Sequence, residues 1–269
     1  MKTRAITAFF FTIVMLGSIF LGAYTFSVFY LLLSLMALSE FYKLIRNSGI
    51  KPHTGIGLLS GGVIFLSLAS CYFLKFEARY LLLLIPLLVS VFIAELYRKE
   101  KAPFSDISYT FVGLIYTSIP FCFFYALGFS FSGNTYNWHL PLAFLLMLWA
   151  SDTGAYLFGR KLGKHKLFER HSPKKTWEGF FGGVLTSVLV AIAVSFYFKE
   201  IAAPVWVGMA VLVVSFGTLG DLVESMLKRS LDVKDSGTLL PGHGGVLDRF
   251  DGLLIAAPIV FTYLYLVLN

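Results

Sequence analysis

The sequence predicts an all-α polytopic membrane protein of about nine transmembrane helices, N-terminus in the cytoplasm and C-terminus outside. Three observations carry this prediction. Hydrophobic residues fill 57% of the 269 positions and charged residues only 14%, where a soluble domain carries roughly a quarter. Mean hydropathy is +0.78. Apolar runs long enough to cross a hydrocarbon layer of about 30 Å recur to the last residue, and the basic residues fall almost wholly on one side of them.

Taken in order, the runs cover roughly 5–22, 25–45, 54–74, 78–97, 107–128, 139–158, 176–198, 203–227 and 248–268. Met1-Lys-Thr-Arg4 before an apolar stretch has the form of a secretory signal. In a chain that stays apolar throughout, an uncleaved first span is the better reading. With the N-terminus inside and strict alternation, the inside segments hold all of the 22 Lys and Arg except Lys75, Arg79 and Lys199. This is the positive-inside bias of membrane loops. It accounts for most of the net charge of +7, so nucleic acid is not an expected partner. Cys71 and Cys122 lie in apolar runs without CxxC or Cys/His partners, so they read as small core residues and neither a zinc site nor a disulfide framework is indicated.

No long polar linker or internal repeat divides the chain, so residues 1–269 read as one integral membrane domain. Composition nevertheless shifts near residue 150. The first five spans carry almost no acidic residues at membrane depth, whereas the last four carry them repeatedly. Residues 1–138 therefore read mainly as scaffold spans and 139–269 as the catalytic half.

The acids are specific in placement. Asp152 lies near the inside end of span six; Asp221 and Glu224 are three apart on span eight and share a helix face; Asp248 and Asp251 repeat that spacing at the start of span nine. A carboxylate at bilayer depth costs about 2.5–3.5 kcal/mol on insertion scales, so five of them require compensation. For any single one, an ion pair with a neighbouring Arg or Lys suffices. Five from three spans on one side favour a divalent-metal site, and hard oxygen donors without Cys or clustered His select Mg²⁺ over zinc.

Cations and glycines accompany them. The loop between spans six and seven holds seven Lys and Arg, in part simple positive-inside bias or a surface for anionic headgroups. Within it Ser172-Pro173-Lys174-Lys175 is expected to form an N-cap with Pro at the first helical position. A helix N-terminus beside two lysines suits phosphate. Gly159-x3-Gly163-Lys164-His165 fails as a Walker A loop in spacing and final residue. The segment Lys234-Asp-Ser-Gly-Thr-Leu-Leu-Pro-Gly-His-Gly-Gly245 lies between Lys228-Arg229 and Asp248-Arg249. Its glycines permit close approach of backbone amides to a phosphate, and His243 either contacts that phosphate or packs the loop. Carboxylates for metal, cations for phosphates and a Gly-rich loop are the parts of a phosphoryl or nucleotidyl transfer. The residues alone reach a membrane-embedded, Mg²⁺-dependent enzyme acting on phosphates at the cytoplasmic face, with a lipid as acceptor.

At residues 225–251 the sequence resembles a known family. Ser225-x-Leu-Lys-Arg229, Lys234-Asp235-x-Gly237 and Leu240-Pro241-x-His243-Gly-Gly-Val246-x-Asp248-Arg-Phe-Asp251 are similar throughout to the signature of phosphatidate cytidylyltransferases, also called CDP-diacylglycerol synthases. Ser151-Asp152 and Ser-Pro-Lys-Lys-Thr-Trp-Glu-Gly share the likeness. The resemblance implies that CTP and phosphatidic acid give CDP-diacylglycerol and pyrophosphate in phospholipid synthesis, in a bacterial inner membrane with the active site facing the cytoplasm. It further implies Mg²⁺, K⁺ beside it, and a homodimer. Catalysis is then expected to rest on Asp221, Asp248, Asp152, Lys228 and Arg229. Asp221 and Asp248 are the first-choice metal ligands, and Asp152, Glu224 and Asp251 further ligands or orienters. Lys174, Lys175, Lys228, Arg229, Lys234, His243, Gly244, Gly245 and Arg249 are expected to bind CTP phosphates or the phosphatidate headgroup. Two other readings compete. Another membrane phosphotransferase, of the CDP-alcohol type, calls for an Asp-Gly-x2-Ala-Arg motif that is not in the chain. An ion-coupled transporter calls for midplane acids and inverted repeats, whereas these acids cluster at helix ends.

Overall fold

The computed structural model describes residues 2–74, 78–237 and 244–268. Among these, nine helical segments coincide with the nine apolar runs. They are α1 (Lys2–Phe20), α2 (Ala23–Asn47), α3 (Thr54–Phe73), α4 (Leu84–Leu96, entered through a 3₁₀ turn at Ala78–Leu83), α5 (Pro103–Leu127), α6 (His139–Leu162), α7 (Trp177–Tyr197), α8 (Ala203–Ser230) and α9 (Leu247–Leu268). Seven of them, α2, α3 and α5–α9, are long and apolar enough to cross a membrane. The first and fourth runs correspond to shorter apolar helices, Phe9–Phe20 within α1 and Leu84–Leu96.

α5 begins at Pro103, earlier than the apolar pattern alone indicates. Proline tolerates the first helical turn because its missing N–H has no partner there in any case, and Pro103 occupies that turn. Further on, Pro120 removes a backbone donor and crowds the carbonyl four residues back. The helix absorbs this with a π-helical turn at Leu114–Ser118 and continues to Leu127.

The chain folds into two compact units. The first comprises residues 1–125 and 233–249, the second residues 126–232 and 250–269. In the first unit an aromatic core joins α2, α3 and α5. Phe26 and Tyr30 have ring centroids 4.6 Å apart, Tyr30 and Phe124 4.8 Å, and Phe65 and Tyr125 4.8 Å. Such rings bury large apolar area and add edge and offset interactions. At one end a polar knot ties four segments together. The Tyr42 hydroxyl donates to the Thr110 carbonyl at 2.7 Å, the His53 amide to Thr110 Oγ1 at 2.8 Å, and the Lys51 amide to Asp106 Oδ1 at 2.8 Å. Buried Glu95 at the end of α4 lies 2.5 Å from His53 Nε2 and 3.1 Å from Arg98.

In the second unit α6 and α7 run antiparallel and α8 packs on both. Thr186 Oγ1 donates across to the Ala150 carbonyl at 2.9 Å. Between α6 and α7 lies an antiparallel pair, β1 (Lys166–Phe168) and β2 (Ser172–Thr176), with Lys166 opposite Thr176 and Phe168 opposite Ser172. The expectation that Ser172-Pro173-Lys174-Lys175 caps and opens the seventh helix is corrected here. Those residues form β2, and the cap is Thr176, whose side chain accepts from the Gly179 amide at 3.2 Å. A Thr at this position satisfies a first-turn donor directly, and strand pairing with β1 claims the four residues before it. Glu178 completes the junction, accepting from the Lys164 and His165 amides at 3.1 and 3.2 Å.

Candidate active site

In the second unit, the end of α8 and the beginning of α9 bring three acids together. Asp221, Glu224 and Asp251 each offer a carboxylate oxygen, all within 4.8 Å of one another. Small residues make this possible. A methyl group at Gly220 would overlap the carbonyl oxygen of Asp251 and sit 3.1 Å from Gly252 Cα; one at Gly252 would sit 3.4 Å from Gly217 Cα. The two backbones therefore approach to a distance that side chains forbid, as at small-residue crossings in membrane helices. The residues next to the crossing, Asp221 and Asp251, are carried into proximity by it.

Two lysines reach the cluster. Lys175 Nζ, on β2, lies 2.6 Å from Asp221 Oδ2, and Lys228 Nζ lies 2.5 Å from Glu224 Oε2, one helical turn away. Glu224 is buried, with only 1% of its surface exposed, while Asp221 and Asp251 are half-buried. Ser225 Oγ donates to Asp221 Oδ1 at 3.3 Å, and the Gly252 amide to Asp251 Oδ1 at 2.7 Å. Asp152, exposed on α6, lies in electrostatic range of Asp251 together with Asp221 and Lys175. Three carboxyl groups thus face two lysine ammoniums. The cluster's donors are all hard oxygens. Around octahedral Mg²⁺ with bonds of about 2.1 Å, adjacent ligands lie about 3.0 Å apart and opposite ones about 4.2 Å, so the three carboxylates would have to draw somewhat closer to hold one such ion.

The other expected site residues divide as follows. Lys174 is exposed on β2, and Arg229 is exposed in the last turn of α8. Lys234, Gly244, Gly245, Asp248 and Arg249 belong to the first unit, with Lys234 and Arg249 exposed. His243 lies outside the described residues. Asp248 Oδ2 accepts from the Ser236 amide at 2.9 Å, Ser236 Oγ at 2.8 Å and the Gly245 amide at 2.8 Å. Gly244 beside it takes φ +80°, the left-handed region that glycine enters at little cost.

One residue of this loop's surroundings is absent from the sequence-based set. Glu40, half-buried near the end of α2, accepts from the Val246 amide at 2.8 Å and the Leu247 amide at 3.1 Å, and its Oε1 meets Ser236 Oγ. It sits in one of the first five apolar runs, which read as scaffold. The signal was nonetheless present: Leu35-Met-Ala-Leu-Ser-Glu40-Phe-Tyr places a lone acid in an apolar span, and such an acid calls for a named partner.

Known proteins share this pattern over nearly the whole length. The cytidylyltransferase family matches residues 2–267. A phosphatidate cytidylyltransferase of Staphylococcus aureus is 38% identical over 263 residues, covering 97% of each chain. Those of Staphylococcus epidermidis and Staphylococcus haemolyticus are 38% and 35% identical, again over 97% of both chains. A match across all nine helical segments, the carboxylate cluster and the Asp248 loop leaves one assignment: the chain belongs to the cytidylyltransferase family.

Proposed function

We infer that this chain is a CTP:phosphatidate cytidylyltransferase, which transfers CMP from CTP to phosphatidic acid and yields CDP-diacylglycerol and pyrophosphate. The observation that carries the reading is the full-length match to phosphatidate cytidylyltransferases, and the Asp221–Glu224–Asp251 cluster with its two lysines suits the same chemistry. In the reaction a phosphatidate phosphate oxygen bonds to the α-phosphorus of CTP. The bond from that phosphorus to the bridging oxygen of the β-phosphate breaks, and pyrophosphate leaves with the electron pair.

The acceptor is already an anion, so no strong general base is required. The protein's tasks are to align the one phosphate of phosphatidate with the three of CTP and to offset the repulsion among these four groups. Asp221, Glu224 and Asp251 would hold Mg²⁺, which when bound neutralises phosphate charge and polarises the reacting centre. Lys175 and Lys228 supply positive charge at the rim of the cluster, where the departing pyrophosphate needs it. Arg229 and Lys174, exposed nearby on the same elements, extend that charge toward the headgroup or the nucleotide phosphates. Asp248, Lys234 and Arg249 belong to the family signature and are read as further residues needed for this reaction.

The positive-inside distribution supports nine spans with the N-terminus in the cytoplasm and the C-terminus outside. On this reading the site faces the cytoplasm, where CTP is found, in a bacterial inner membrane. Purified protein given phosphatidate, radiolabelled CTP and Mg²⁺ is expected to form lipid-linked label that co-migrates with CDP-diacylglycerol, and chelation of Mg²⁺ to abolish it. A folded preparation that forms no labelled lipid overturns the reading.

A further inference from the structure

We propose that Glu40 is a positioning residue for the reaction: reaching from α2, it fixes Ser236 and the amides of Val246 and Leu247 at the start of α9, and through them the carboxylate of Asp248. The inference rests on the assignment of Asp248 to the catalytic machinery.

Glu40 contacts described residues on both sides, Ser236 and the Val246–Leu247 pair. Its two oxygens accept from the amides of Val246 and Leu247 at 2.8 and 3.1 Å, and Oε1 also meets Ser236 Oγ. Leu247 opens α9, so these amides belong to the N-terminal group of a helix, which has no acceptors of its own. An acid from another helix thus does the work that a neighbouring Ser or Asp usually does. It does so with charge at the positive end of the helix dipole, and charge-assisted bonds are the strong ones. The same loop atoms hold Asp248. Ser236 Oγ stands between Glu40 Oε1 and Asp248 Oδ2, and the Ser236 and Gly245 amides both donate to Asp248 Oδ2. The glycines record the fit: a methyl group at Gly237 would sit 2.8 Å from Glu40 Oε2, and one at Gly245 would overlap the Glu40 carboxylate. Two of the signature's glycines are therefore small because Glu40 occupies the space beside them.

Groups that orient a functional carboxylate typically change activity or metal affinity 10–100-fold when altered. Glu40→Gln keeps the shape but turns an amide N–H₂ toward a backbone donor. It is expected to lower kcat 10–100-fold and to raise several-fold the Mg²⁺ needed for half-maximal rate, with KM for phosphatidate unchanged. If Glu40 acts through Asp248, adding Glu40→Gln to Asp248→Asn lowers kcat no further than Asp248→Asn alone. Hydrogen exchange of the 244–248 amides reads the same contact without turnover, and Glu40→Gln is expected to speed it at least tenfold while the middle of α9 keeps its protection. Should Glu40→Gln misfold, Ser236→Ala is expected to give smaller changes of the same sign. Wild-type kcat with unchanged loop exchange in Glu40→Gln overturns the proposal, as does a double variant whose loss is the full product of the single losses. The wild-type assay separates the two failures. No CDP-diacylglycerol from wild type defeats the assigned activity and leaves loop exchange to decide the contact, whereas an active wild type with an equally active Glu40→Gln defeats this proposal alone.

Discussion

Replacing Gly220 with Ala inserts one methyl group at the tightest point between α8 and α9. It would overlap the Asp251 carbonyl oxygen and lie 3.1 Å from both the Asp251 carbonyl carbon and Gly252 Cα. Carbon atoms prefer about 3.5–4.0 Å, and all three obstacles are backbone, so no side chain can rotate aside. The helices must part by roughly 1 Å at that level. Overpacking of this kind costs about 1–3 kcal/mol, or several degrees in melting temperature at this chain length. The effect on turnover should be larger. Asp221 follows Gly220 directly and Asp251 is the residue struck, so the displacement falls on the carboxylate cluster itself. A misplacement of about 1 Å at reacting groups can cost about 100-fold, equivalent to about 2.7 kcal/mol of transition-state stabilisation. CDP-diacylglycerol formation over a Mg²⁺ series, with thermal unfolding of the same preparation, measures both. Gly208→Ala is the control. It lies on the same helix pair, about 18 Å away along α8 at 1.5 Å per residue, and there the obstacle is the movable hydroxyl end of Tyr263. It should affect stability more than kcat. A Gly220→Ala protein with wild-type kcat and Mg²⁺ dependence would refute the idea that this helix contact assembles the site.

Three further outcomes are expected. Asp221→Asn and Asp251→Asn should each lower kcat at least 100-fold in folded protein while raising the Mg²⁺ requirement; normal turnover across the Mg²⁺ series would remove them from the metal site. Lys175→Met removes the ammonium 2.6 Å from Asp221 and should lower kcat with little change in KM for phosphatidate, a split that titrations of CTP and of phosphatidate will report. Glu95→Ala leaves His53 and Arg98 without the buried acid they share, and loss of one partner of such a set destabilises by roughly 3 kcal/mol. Thermal unfolding should register that loss, whereas the residual folded fraction should keep its turnover number.

Much of this protein is determined by sequence alone, because membrane insertion is governed by local hydropathy. A span must satisfy its backbone within itself, so a run of about twenty apolar residues becomes a helix whatever its neighbours are. The nine runs accordingly coincide with α1–α9 to within a few residues. The exceptions arise where local chemistry overrides hydropathy, at Pro103, which draws α5 back, and at Thr176, which caps α7 and leaves Ser172–Lys175 to β2. The Asp-rich signature was also legible, since carboxylates in hydrocarbon call for compensation and their spacing reveals which share a helix face. Tertiary structure alone decided their company. No periodicity indicates that Gly220 and Gly252 let two backbones close until Asp221, Glu224 and Asp251 meet, or that Lys175, reached through a strand pair, is the cation beside Asp221. Nor does any local pattern join Glu40 to Val246 and Leu247, some two hundred positions later. Such contacts depend on which helices pack together, and helix packing in a membrane follows the shape of small-residue surfaces and the partnering of isolated polar groups.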